Sequence, residues 1–130
     1  MSKILEYLLT QDVDTQETRE VDITGFPYPF VIRSLTAKED IECRRKATKK
    51  TKQGQQTDGE LYMLNLVVAS LVEPNPKNAE LQAKYGSQGD ANETVCNMLR
   101  GGQYLQLLKE VQDINGMNDT VESLATEALD

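Results

Sequence analysis

Histidine and tryptophan are both missing from this chain of 130 residues, and phenylalanine occurs only twice. Without histidine, the usual general base near neutral pH and the commonest metal ligand are both absent. The two cysteines, Cys43 and Cys96, stand more than fifty residues apart, so with no histidine they make no familiar zinc site. Gly54, Gly59, Gly86 and Gly89 are not followed by the Gly-Lys-Ser/Thr of a phosphate loop. Asp12 and Asp14 open like a calcium loop, yet the required glycine and distal glutamate do not follow. Cys43 beside Arg44 and Arg45 has a neighbourhood that can lower a thiol pKa, but no base or oxyanion group accompanies it. These gaps point away from an enzyme and from any cofactor or metal.

Positive charge is scarce after residue 52. Residues 1–52 carry ten Lys/Arg against nine Asp/Glu, whereas residues 53–130 carry four against twelve, for a net charge of -7. An acidic chain is repelled by phosphate backbones and anionic lipid, so nucleic acid and membrane are poor partners. The chain opens with Met1-Ser-Lys-Ile-Leu-Glu6, which charge interrupts too early for a secretory leader. Sparse cysteine fits a reducing cytoplasm.

What the chain does have is helical pattern. Glu60-Leu-Tyr-Met-Leu-Asn-Leu-Val-Val-Ala-Ser-Leu-Val72 is its most apolar stretch, expected as a central helix with Leu61, Leu64, Val67, Val68 and Leu71 buried. Each such side chain contributes on the order of 1.5–3 kcal/mol. The stretch falls short of the about 20 apolar residues that a membrane span needs.

From the start, Ser2 caps a short helix with Ile4, Leu5, Leu8 and Leu9 on one stripe, too short to stand without docking on the domain or a partner. Arg19–Thr24 and Phe30–Leu35 alternate as strands around Gly25, Pro27 and Pro29, a β-hairpin that needs helices on one face. Thr36 and Glu39 form a capping box for a helix running to about Lys50. Its far end gathers Arg44, Arg45, Lys46, Lys49, Lys50 and Lys52, where the helix dipole favours positive charge. Thr51–Gly59 has no apolar residue and reads as a flexible loop. Pro74 and Pro76 end the central helix. Asn78 and Asp90 then cap short helices, Tyr104 to Ile114 recurs at helical spacing, and Val121, Leu124, Ala125 and Ala128 follow in a last amphipathic helix.

The expected fold is α+β, mainly α: an N-terminal hairpin packed on a small helical domain of about five to six helices. The expected organisation is a single domain over 1–130, comprising helix and hairpin (1–35), a basic-ended helix (36–52), a flexible loop (51–59) and a helical body (60–130).

The ordered series Val72-Glu-Pro-Asn-Pro76, Ala79-Glu-Leu-Gln-Ala-Lys-Tyr-Gly86, Met98-Leu-Arg-Gly-Gly-Gln-Tyr104 and Ile114-Asn-Gly116 resembles the tail assembly chaperones of long-tailed phages and defective prophages, the XkdN/YqbN-like group. Leu35-Thr-Ala-Lys-Glu39 after the hairpin resembles that family's opening. Gly101-Gly102-Gln103 departs from its Pro-Gly-Glu, and the acidic end Ser123–Asp130 from its basic tail. The resemblance implies a non-enzymatic factor in the bacterial host cytoplasm, made in some cases also as a longer frameshifted form. Such a factor binds the tape measure protein and keeps it soluble until tail tube subunits polymerise around it. Self-association is a further option. Alternatives are a structural tail component or small helical adaptor and, behind these, a nucleic-acid adaptor using the basic cluster. Helix-in-groove binding needs apolar anchors at helical spacing, and the candidates are Leu105, Leu108 and Val111, with Val121, Leu124 and Ala128 on the last helix.

Overall fold

The computed structural model describes residues 2–12 and 16–117. Its elements are α1 (Lys3–Thr10), β1 (Thr18–Val21), β2 (Phe30–Arg33), α2 (Ala37–Lys46), β3 (Thr48–Thr51), β4 (Gly54–Thr57), α3 (Gly59–Ser70), β5 (Leu71–Glu73), α4 (Ala79–Lys84), α5 (Ala91–Met98) and α6 (Gly101–Ile114). The fold is α+β, with an N-terminal hairpin and six helices among the described residues, as the patterning predicts. The last amphipathic helix expected around Val121 to Ala128 lies outside the described residues.

β1 and β2 pair antiparallel, Val21 opposite Phe30 and Arg19 opposite Ile32. Alternation along the two segments buries Val21, Ile23, Phe30 and Ile32 on one face. Phe26 meets Phe30 edge to face, ring centroids 4.9 Å apart, at the hairpin's closed end. This face packs on α3 and α6, where Leu66, Val67, Leu107 and Val111 are fully buried in the same core.

The helix starts agree with their caps. Ser2 Oγ accepts the Leu5 amide at 3.1 Å, Asp58 Oδ1 accepts Glu60 and Leu61 at 3.1 and 3.2 Å, and Asn78 and Asp90 do the same for α4 and α5. At α2 the capping box is complete, with Thr36 Oγ1 taking the Glu39 amide and Glu39 Oε1 taking the Thr36 amide.

Two expectations need correction. The central helix ends at Ser70 rather than Val72, and Leu71–Glu73 joins the sheet as β5, giving the order β1-β2-β5. Pro74 biases Glu73 to extended backbone, and the open edge of β2 supplies the ladder, with Leu71 opposite Ile32. Within α3, Val67 is buried as expected, and so is Leu71 just past the helix end. Leu61, Leu64 and Val68 are only half-buried, and the deeper positions belong to Tyr62, Asn65, Leu66 and Ser70.

The second correction concerns residues 47–57. α2 stops at Lys46 instead of about Lys50, and its expected last turn pairs as β3 with β4 from the run expected as a loop, Thr48 opposite Thr57 and Thr51 opposite Gly54. Thr48 and Thr57 share a hydroxyl hydrogen bond of 2.8 Å, Thr51 Oγ1 donates to the Gly54 carbonyl at 2.7 Å, and Gly54 takes a φ of +108° that other residues resist. Nearly every residue of this hairpin is exposed, so polar pairing and turn geometry form it without core burial.

α1 forms where expected, and of the two expected docking places the body is not used: Ile4, Leu8 and Leu9 are 63%, 61% and 69% exposed.

Candidate functional site

The Arg100–Gln103 turn sets the site. Arg100 is extended and its amide donates to Gln103 Oε1 at 2.8 Å, while Gln103 Nε2 donates to the Thr24 carbonyl at 2.8 Å. One helical turn on, Gln106 Oε1 accepts the Thr24 amide at 3.0 Å and its Nε2 donates to Thr24 Oγ1 at 2.8 Å. Further along the same face, Arg19 reaches Asp113 at 2.7 Å and Glu110 at 3.0 Å. A polar stripe at i, i+3, i+7 and i+10 thus clamps α6 to the β1–β2 hairpin and fixes which way its other side faces.

That other side carries Tyr104, Leu105 and Leu108. With Glu60, Met63 and Leu64 from the first turns of α3, and Cys96 and Leu99 from the end of α5, they line an open, mostly apolar groove of about 520 Å³ rimmed by Arg100. Leu105 is 62% exposed on it and Leu108 forms its floor. Burial, with smaller contributions from Cys96 and Glu60, pushes the Tyr104 hydroxyl up to about 12. Burial first, then Glu93 and Asp90, pushes the Cys96 thiol up as well, so Cys96 stays a neutral, weakly nucleophilic wall.

A larger depression of about 860 Å³ lies between α2, α3 and the segment after β5, and several of its lining side chains are committed to partners. Arg33 pairs with Glu39 through two hydrogen bonds of 3.0 and 2.6 Å. Asn65 donates to the Cys43 carbonyl and accepts from Asn92, each at 2.9 Å. Burial raises the Cys43 thiol pKa, the opposite of what a nucleophile next to Arg44 and Arg45 requires. Among the described residues no group of three or more Cys, Asp or Glu could hold a metal ion, and no helix is long and apolar enough to cross a membrane.

The basic cluster is dispersed by the end of α2 at Lys46. Arg44 sits over the Tyr62 ring at 5.2 Å and within 3.9 Å of Asp40, and Arg45 pairs with Glu42. Lys49 and Lys50 ride on β3.

Of the candidate anchors, Leu105 and Leu108 come together in the groove. Val111 is fully buried and faces the core, while Val121, Leu124 and Ala128 lie outside the described residues. The α3 and α5 walls were not anticipated, because no local pattern reveals which helices will cross; Glu60, Met63 and Leu64 read simply as part of a buried hub.

Comparison with known proteins places this architecture. Residues 5–129 match the family described as "Phage XkdN-like tail assembly chaperone protein". YqbN of Bacillus subtilis (strain 168) is 27% identical over 115 residues, covering 85% of this chain and 77% of that one. XkdN of the phage-like element PBSX in the same organism is 27% identical over 116 residues, covering 85% and 78%. The crystal structure of YqbN superposes with a TM-score of 0.70 at 23% identity, over 89% of this chain and 98% of that one, so the two share a fold. With nearly its whole length inside the family's span, this chain belongs to the XkdN-like phage tail assembly chaperones.

Proposed function

We propose that this chain acts without catalysis in the bacterial host cytoplasm, binding the tape measure protein of a phage or prophage tail and holding it soluble until tail tube subunits enclose it. The observation that carries the reading is the α3/α5/α6 groove, with an apolar floor and Leu105 standing 62% exposed on α6. An exposed leucine on a well-packed helix has a use when an amphipathic helix can lay its own stripe beside it. Leu105 and Leu108 are the contact residues, and Val111 holds α6 in place from behind. The acidic balance of residues 53–130 keeps a complex with an apolar partner from aggregating further. Each groove grips weakly, and many copies along one long partner gain by avidity.

The test is co-expression with the tape measure protein. The partner is expected in the soluble fraction with the natural chain and in the pellet with Leu105→Glu, a change on an exposed side chain that leaves the melting temperature of this protein unaltered. Equal precipitation of the partner with and without the natural chain would refute the proposal.

A further inference from the structure

The chain carries both halves of a helix-in-groove contact with itself. α1 presents Ile4, Leu5, Leu8 and Leu9 on one side, all exposed, and an eight-residue helix alone is well below the length that is stable in water. The groove presents an apolar floor of matching character. From these two open faces we infer that α1 of one copy seats in the α3/α5/α6 groove of a second copy, giving head-to-tail self-association.

Exposure argues for a second copy over the same chain: within one copy no residue of α1 is buried, so its stripe is not seated in its own groove. Arg19 of β1 is tied to Glu110 and Asp113 near the C-terminal end of α6. The groove lies against the first turns of α6, and on the side of that helix away from the hairpin.

Charge favours the same pairing. Residues 1–52 hold ten Lys/Arg against nine Asp/Glu, and residues 53–130 four against twelve, so the front of one copy and the back of another do not repel as like halves would. At the contact itself, Lys3 and Glu6 of α1 bring one cation and one anion to a rim that offers Glu60 and Arg100. A contact made by one short helix is small, so association is weak and concentration-dependent. Because the donor and acceptor surfaces differ, the interface is heterologous and extends beyond two copies unless it closes into a ring. The inference uses the groove that the proposed function gives to the tail protein, so the two occupants compete for it, but its test needs no tail protein and can fail independently through Leu8→Glu.

Sedimentation velocity on the full chain and on two variants tests it. Leu8→Glu removes the donor face and Leu105→Glu the acceptor face, and both residues are more than half exposed, so folding is not at stake. The natural chain is expected to rise above its monomer mass of 14.6 kDa with concentration, while each variant stays monomeric. Their equimolar mixture, which restores one donor and one acceptor, is expected to give a species of two copies and none larger. A natural chain that stays monomeric at every concentration overturns the inference, as does association of either variant like the natural chain, or a mixture that remains monomeric.

Discussion

Gln103 makes two contacts that no carboxylate could make together. Its Oε1 accepts the Arg100 amide at the start of α6 and its Nε2 donates to the Thr24 carbonyl of the hairpin, both at 2.8 Å. A glutamate at this position would keep the cap and lose the bridge. Gln103→Glu is therefore expected to lower stability by about 1 kcal/mol in urea unfolding, with Gln103→Ala losing more; equal stability of all three proteins would show the bridge to be idle. Glu39 offers a pH-dependent counterpart. Hydrogen bonds from Arg33, with help from the Thr36 amide, hold its carboxyl at about 2 against an ordinary 4.5. A depressed folded pKa means the contribution is complete above about 4.5 and is lost as the pH falls toward about 2. Both partners are a quarter to a third exposed, so Glu39→Gln is expected to cost only about 1 kcal/mol at pH 7, with the gap to the natural chain closing across that acid window. A gap independent of pH would contradict the pairing. Single residues also show what pattern reading can and cannot do. Leu105, Leu108 and Val111 recur at threes, but a step of three drifts around a helix of 3.6 residues per turn, and by Val111 the drift has carried the side chain from groove to core.

Elements whose signals lie close together in the chain were legible. The starts of α1, α2, α3, α4 and α5 follow from a side chain and an amide two or three residues apart, and the β1–β2 hairpin from alternation around Gly25 and the prolines. β5 was not legible, because Leu71–Glu73 becomes a strand only when the edge of β2 lies beside it, and that edge comes from residues about forty positions earlier. β3 and β4 escaped for another reason. They bury almost nothing, so the apolar alternation that marks strands is missing, and only Thr48, Thr51 and Thr57 hint at extended backbone. α1 belongs at this scale as well. None of its residues is buried, so removal of residues 2–12 is expected to leave the melting temperature unchanged by calorimetry. A drop of several degrees would mean that α1 packs on its own body.

At the scale of the whole molecule, α6 divides the labour. Its polar stripe is fastened to the hairpin by Gln103, Gln106, Glu110 and Asp113, its buried stripe of Leu107, Val111 and Ile114 completes the core, and the remaining side leaves Leu105 exposed. The rigid clamp on one side is what keeps the groove on the other in shape before anything binds, which lowers the ordering cost of binding. Half of the groove, its α6 side, could be picked from helical spacing, while its α3 and α5 walls emerge only from how three helices cross. The alternative surface, the basic end of α2 with β3, has Arg44 and Arg45 already engaged by Tyr62, Asp40 and Glu42. Hydrogen exchange on the chain bound to the tape measure protein separates the two surfaces directly. The account predicts slowed exchange in residues 60–64 and 96–108 with residues 48–57 unchanged; protection confined to 48–57, or none in 60–64 and 96–108, would contradict it.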